Sequence, residues 1–441
     1  SKKSPDFSVG AFYIYPMNIE DIYSRFLEFP SISTDSRKVL PESLFFALKG
    51  PNFNGNRYAQ EALDKGAAYA VVDEAKYALN DRTLLVPDVL VCLQDLATHH
   101  RRQMKATLIA LTGSNGKTTT KELISRVLER TYKTRATTGN LNNHIGVALT
   151  LLQIREDTEM MVVEMGANHQ KEIAFLCALA EPDFGYITNY GKAHLEGFGG
   201  VEGVIRGKSE MYDYLMAEGK TIFLNADDPI QRKKLESYTN KVGFSTSEAG
   251  YYRIENQGAD PFVTLKVEDA VIETSLSGSY NFSNCAIAVL MGKYFKVPLD
   301  EIRKAIESYV PENNRSQLLQ IGALDVLLDA YNANPSSMSA ALQHLEALET
   351  PKKFAILGDM FELGADSATE HQRIAEQAEA LKLDNLLLVG SAFSATKTEG
   401  MRFKTFEALV EFLKSNPISG PGTLLIKASR GMALERLVEY L

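Results

Sequence analysis

The stretch "LIALTGSNGKTTTKELISRVL", Leu108 to Leu128, limits what this chain can fold into more than any other. An apolar, strand-like run ends in a turn of small residues, the turn ends in Lys and Thr, and an amphipathic helix pattern follows. Gly113 and Gly116 let backbone approach a ligand closely and turn several N–H groups inward, and the helix beginning near Lys117 adds its partial positive end. Such a turn cradles a polyphosphate. Ser114 and Asn115 lie within it, Lys117 reaches the outer phosphates, and the Thr118 hydroxyl, with Thr119 beside it, is placed for Mg²⁺. In the general loop G-x-x-x-x-G-K-[ST] the first glycine would fall at Leu111, whereas here it stands at Gly113. Strand, phosphate turn and helix are the building unit of a parallel sheet, so the expected class is α/β.

A chain of 441 residues, at about 100–200 residues per domain, suggests three domains. The hydrophobic share of 45% and charged share of 23% are those of a globular protein with ample core. No apolar run approaches the ~20 residues of a membrane span, and "SKKSPDFSVG" has no apolar signal-peptide core, so a cytoplasmic location is expected. Cys92, Cys177 and Cys285 are far apart, each in an apolar stretch, which favours buried thiols over a disulfide or metal cluster. The net charge of −9 argues against a nucleic-acid partner and requires local basic pockets for anionic substrates.

Three segments follow. Residues 1–104 alternate short apolar runs ("SLFFALKG", "AAYAVVDE", "TLLVPDVLVCL") with helical patterns, giving a small α/β domain. Residues 105–312 hold the phosphate turn and continue through "MVVEMG", "FGYITNY" and "TIFLNADDP" to the helical "NFSNCAIAVLMGKYF". Residues 313–441 carry the apolar strands "DVLLDAYN", "FAILGD", "NLLLVG" and "TLLIKAS", hence a third domain with a mainly parallel sheet. Polar residues just beyond strand ends mark ligand sites in such sheets. Glu164 ends "MVVE" and His194 stands in the loop after "FGYITN"; a carboxylate and an imidazole converging on the phosphate turn suit a divalent metal. Singly, Glu164 also fits a turn cap and His194 a hydrogen-bonded loop histidine. His99 and His100, in "THHRRQ", read as the solvated end of a helix.

Taken together, "TGSNGKTTTKE", "NLNNHIGVALTLL", "EMGANHQKEI", "ITNYGKAHLEGFG", "RGKSEM" and "DAYNANPSSM" resemble the Mur ligase superfamily, whose members build the peptide of the bacterial cell-wall precursor. The resemblance spans essentially the whole chain, and the family's shorter T-G-x-N-G-K-T loop accounts for Leu111. It implies a domain for the UDP end of the substrate, a central ATPase domain and a Rossmann-like carboxyl-terminal domain. "DAYNANPSSM" resembles the members that join D-alanyl-D-alanine to UDP-MurNAc-tripeptide, whereas the members acting one step earlier carry a Tyr-Ala-His-Thr-Pro-like stretch and a D-N-P-R motif.

By this resemblance Ser33, Asp35, Ser36 and Arg37, with Lys49 near the pyrophosphate, meet the uridine nucleotide, the two cations giving the local positive charge UDP needs. Glu42 stands where the family often has glycine. Asn281 and Asn284 match adenine-side asparagines, Asp329, Tyr331 and Asn332 lie by the nucleotide, and Asn334 lies toward the dipeptide while also suiting a helix start. Asn140 and Asn143 orient peptide or phosphate, and Arg315, Lys427, Ser429 and Arg430 complete the site on domain closure. The implied chemistry is ATP-dependent amide ligation through an acyl phosphate, with Lys117, Thr118 and Glu164 around one Mg²⁺, His194 at a second, and Lys208 carbamylated as a further oxygen ligand. A monomer is expected. A different ligase of the superfamily, a P-loop kinase and a nucleotide-gated binding module are the alternatives.

Overall fold

Seven parallel strands form the sheet that carries the glycine turn, in the order Tyr252–Arg253, Lys241–Ser245, Thr221–Asn225, Phe184–Ile187, Thr107–Thr112, Met160–Glu164, Thr134–Ala136. Strands buried on both faces need continuous apolar runs, and "LIALT" and "MMVVE" supply them. Ile109 and Leu111 enter a core with Leu123, Ile124 and Val127 of the helix Lys117–Leu128, and side-chain alternation turns the buried Leu108 and Ala110 to the other face. That helix packs against the buried helix Asn281–Tyr294. This computed structural model describes residues 17–311 and 314–441. The leading "SKKSPDFSVG" and the segment boundary at Glu312 lie outside the described residues.

An antiparallel meander, Glu255–Ala259, Phe262–Val267 and Ala270–Ser277, follows the central sheet. Its middle strand alternates, with Val263, Leu265 and Val267 buried in the same core. In the sequence, "FVTLKV" carries its period-two signal.

The carboxyl-terminal sheet runs Gln317–Ile321, Leu324–Asp329, Gly422–Lys427, Lys353–Gly358, Asn385–Val389, Met401–Phe403. All neighbours are parallel except the Gln317–Ile321 edge, which pairs antiparallel with Leu324–Asp329. Central and carboxyl-terminal sheets belong to one compact unit.

A second compact unit contains the described residues up to Lys105 together with His144–Glu156. Its parallel sheet has the order Ile32–Ser33, Leu44–Phe46, Tyr69–Val72, Thr83–Leu85. The run "TLLVPDVLVCL" is not one element. Its strand ends at Leu85, and Asp88 caps a helix Val89–Gln103 by accepting from Val91 N. His100 is not solvated as expected: it is 2% exposed, packed edge-on against Phe26, with Nε2 2.9 Å from the carbonyl of Ile154. The segment around Ile154 covers that helix end, and local sequence gives no sign of it. Cys92, Cys177 and Cys285 are free and buried, as expected. Among the described residues no helix is long and apolar enough to cross a membrane.

Candidate active site

The phosphate turn is held from behind. Gly113 has φ +147° and Gly116 φ +78°, and a Cβ on Gly113 would stand 1.9 Å from Thr188 Oγ1, so glycine is required there. Ser114 N donates to Asn189 O, Asn115 N to Asn189 Oδ1, and Thr188 Oγ1 and Asn189 Nδ2 donate to the Asn115 carbonyl. The loop after Phe184–Ile187 is therefore the template for the turn. Lys117 folds back, its Nζ donating to the Gly113 carbonyl at 2.8 Å and the Ser114 carbonyl at 3.2 Å. Burial pushes the Lys117 ammonium below the usual lysine range, Glu164 opposes the shift and Arg315 adds to it. An incoming anion relieves that cost.

Glu164 is 2% exposed at the end of its strand. Thr118 Oγ1 donates to Glu164 Oε2 at 3.0 Å, and Asn142 Nδ2 donates to Oε1 at 2.8 Å. A buried carboxylate and a hydroxyl at the head of a phosphate turn are hard oxygen donors of the kind Mg²⁺ takes alongside phosphate oxygens. Of the asparagines in "GNLNNHIG", Asn142 reaches the carboxylate; the expected Asn140 and Asn143 are exposed. Thr119 is half-buried in the first helical turn. Asn284 lies under Gly116, where a Cβ would meet its Oδ1 at 2.7 Å; its amide joins Thr120 to Asn281, whose own Nδ2 donates to Ser277 O. The two expected adenine-side asparagines are thus a buried brace beneath the loop.

Lys208 is 1% exposed on the helix Val201–Ala217. Its Nζ donates to the Ala167 carbonyl at 3.1 Å and stands 5.0 Å from the centre of the Phe198 ring. Burial, and then the charge of Lys117, hold this amine far below the usual lysine range. His194 adopts φ +53°, with Nδ1 2.5 Å from Glu362 Oε2. His194 lowers the Glu362 carboxyl below the usual range. No cluster of three acidic, His or Cys side chains that would hold a metal unaided occurs among the described residues.

The carboxyl-terminal sheet brings further groups to the turn. Asn334, 8% exposed, caps the helix Pro335–Ala347 by accepting from Ser337 N, and its Nδ2 donates to Asn115 Oδ1 at 2.7 Å. The helix-start reading of Asn334 holds, and the same side chain reaches the phosphate turn. Nearby, Lys192 N donates to Ser336 Oγ and Lys192 Nζ pairs with Glu370. The Arg315 guanidinium lies 3.4 Å from the Tyr331 ring centre, with Arg430 at 5.7 Å. Lys427, 1% exposed, spends its donors on Asp329 Oδ2 (2.5 Å), Asn332 O (3.2 Å) and Asp329 O (3.5 Å), so in this arrangement it fixes the turn after the strand. Ser429 Oγ accepts from Phe361 N and donates to Ala333 O, tying two loops.

In the other unit, Asp35 and Arg37 form a two-point ion pair that holds the Asp35 carboxyl far below the usual range, while Arg37 stays 85% exposed at its side chain. Ser33 Oγ lies 3.1 Å from Ser43 Oγ and accepts from Leu40 N, and the Ser36 carbonyl accepts from Lys65. Lys49 Nζ is 3.0 Å from the buried Asp73, which Asn56 also holds. Asp73 was missed by sequence reading; it follows the strand "YAVV", where a polar residue just beyond an apolar run was the available signal.

Over 424 aligned residues the chain is 34% identical to the UDP-N-acetylmuramoyl-tripeptide–D-alanyl-D-alanine ligase of Bacillus subtilis, covering 93% of this chain and 92% of the relative. The chain belongs to the Mur ligase family. Its parts match family models in order: Mur ligase family, catalytic domain, over residues 28–108; Mur ligase middle domain over 111–292; and Mur ligase, glutamate ligase domain, over 314–430. The enzyme of the same name from Escherichia coli is 33% identical, covering 93% of each chain. Among solved structures, MurF from Acinetobacter baumannii superposes with TM-score 0.83 at 30% identity over 93% of this chain and 92% of that one. MurF from Thermotoga maritima, in complex with ADP, gives 0.82 at 27% identity over 94% and 97%. In this Mur ligase Thr188 and Asn189, which brace the turn, and Asn142, which holds Glu164, were not singled out in the sequence. They follow strands or sit in loops, and their spacing along the chain differs from their proximity in space.

Proposed function

We propose that the chain joins D-alanyl-D-alanine to UDP-MurNAc-tripeptide at the expense of ATP, acting as a monomer in the cytoplasm during peptidoglycan precursor synthesis. The observation that carries the reading is the Asn334–Asn115 hydrogen bond, which ties the "YNANPSSM" turn to a phosphate cradle already equipped with Thr118 and Glu164.

A carboxylate resists attack by an amine, so the tripeptide's terminal carboxylate first takes the γ-phosphoryl group of ATP, releasing ADP. The dipeptide amine adds to the acyl phosphate carbon, and the tetrahedral intermediate expels phosphate as the amide forms and the amine proton leaves. The residues position and neutralise charge. With Ser114 N and Asn115 N held by Asn189, the phosphates meet the start of the helix at Gly116 and Lys117, and Lys117 exchanges the Gly113 and Ser114 carbonyls for phosphate oxygens. Tyr331 and the guanidinium groups of Arg315 and Arg430 offer a flat cationic surface beside the nucleotide.

Thr118 and Glu164 fit one Mg²⁺, which when bound neutralises developing charge on the phosphates. A second ion near His194 fits only if Lys208 supplies oxygen. As an ammonium against Ala167 O it offers none, whereas a buried amine with a depressed pKa is the nucleophilic form that adds to CO₂ and loses a proton to give a carbamate. Arg37 and Lys49 supply positive charge for the uridine diphosphate.

Mass spectrometry of the product formed from ATP, Mg²⁺, UDP-MurNAc-tripeptide and D-Ala-D-Ala tests the assignment. A UDP-MurNAc-pentapeptide is expected; equal or faster turnover with diaminopimelate or glutamate as the amine would overturn it.

A further inference from the structure

A cavity of about 350 Å³ opens at the end of the carboxyl-terminal sheet remote from the phosphate turn. The strands Leu324–Asp329 and Gly422–Lys427 reach both places. Their final residues, Asp329 and Lys427, pair in the candidate active site, and their early residues Asp325 and Thr423 line the cavity. The three-stranded meander that follows the central sheet supplies another part of the wall through Asp260 and Ser277.

Its composition selects a ligand class. The volume falls in the range of small-molecule sites, ~300–1,000 Å³. Leu318, Leu327 and Leu348 give an apolar lining, while Asp260, Asp325 and Glu349 give negative charge, and among the described residues no lysine or arginine lines it. Among those residues none of the three carboxylates has an ion-pair partner, so the field favours a cation and rejects an anion. Two buried polar atoms of its lining residues are also without a partner. His344 Nε2 and Ser277 Oγ are enclosed without a hydrogen-bond partner, on residues 6% and 2% exposed. Buried polar atoms without partners are rare in folded proteins, and two at one cavity mark a place for a polar ligand atom. Burial holds the His344 imidazole below the usual histidine range against the opposing charge of Asp260, so its neutral ring has a nitrogen free to accept from an N–H donor.

We propose that this cavity is a binding site for a small organic cation, a primary amine on a short apolar or aromatic body, with the ammonium at Asp260, Asp325 and Glu349 and the body against the leucines. The site is separate from the catalytic cluster and does not depend on the ligase reading. Because its walls come from both sheets of one unit, an occupant favours the arrangement in which the meander and the carboxyl-terminal sheet stand together.

Phenethylammonium and phenylacetate, alike in shape and opposite in charge, are titrated into the full chain carrying ¹⁵N-histidine, with His344 assigned through His344→Gln. Phenethylammonium is expected to shift the His344 imidazole resonances saturably, with phenylacetate and the Asp325→Asn variant each at least about tenfold weaker. Asp325 and Ala323 are exposed, so Asp325→Asn and a blocking Ala323→Trp leave the fold intact, and the latter is expected to abolish the shift. No His344 response to millimolar amine, equal binding of phenylacetate, or indifference to both substitutions would overturn the site.

Discussion

Lys208 carries its buried amine beside the Phe198 ring, with the Ala167 carbonyl as its one close acceptor among the described residues and Lys117 contributing further positive charge. Carbamylation makes a specific demand on this side chain: Lys208→Ala should lose most ligation and regain part of it with millimolar acetate or formate, which restore the missing oxygens, whereas recovery with small amines would sink the carbamate. A pH measurement separates the bare amine. Burial sets the folded-state pKa below the unfolded value of 10.5, so between the two the unfolded chain binds more protons and parent stability rises with pH. In CO₂-depleted buffer Lys208→Met should therefore exceed the parent in stability at neutral pH, with the gap closing as pH rises towards 10.5. A gap independent of pH would contradict a depressed amine. Glu42 is a simpler case. It sits at φ +53°, where a side chain costs roughly 1–2 kcal/mol, and Glu42→Gly is expected to stabilise its unit by about 1 kcal/mol in urea unfolding.

Turns and helix ends decide how the candidate site is assembled. Asn334 both caps its helix and holds Asn115, so Asn334→Ala should cost about 1 kcal/mol for the cap, and more for the second bond. A double-mutant cycle with Asn115→Ala should recover a coupling of about 0.5–1.5 kcal/mol; additive losses would show that the 2.7 Å contact does not persist in solution. The same elements explain what could be read from the chain. The glycine turn, Glu164 at a strand end and the Asn-Pro helix start are local patterns, each specified by neighbours in sequence. The brace of Thr188 and Asn189 is not local, because only strand order sets the loop after Phe184–Ile187 behind the turn. His100 fails for the same reason, its environment being supplied from Ile154 and Phe26. The acceptors of Lys427, Asp329 and the Asn332 carbonyl, become apparent only in three dimensions.

The whole chain divides its thiols between the two units, Cys92 in one and Cys177 and Cys285 in the other. Burial pushes Cys92 and Cys285 up to about 12 and Cys177 higher still, so few thiolates exist at pH 8 and a disulfide reagent should leave the native protein unlabelled. In graded urea, labelling then reports each unit separately. Saturating ATP should protect Cys177 and Cys285 to higher urea while leaving Cys92 unchanged, because a ligand stabilises what binds it. Equal protection of all three would mean that the two units unfold as one.

His144–Glu156 belongs with the first unit although its neighbours in sequence on both sides belong to the other. The backbone therefore passes between the units three times, at Lys105, at Asn143 and at Glu156. A ribosome that has released residue 105 has not yet made the helix Gly146–Leu151, which packs on Val89–Gln103, or the carbonyl that meets His100. The first unit must wait for the 38 residues Ala106–Asn143 of the other unit, and then for its own His144–Glu156, to emerge before its last contacts close, and for the same reason a truncation after Lys105 yields a fragment lacking part of its own core.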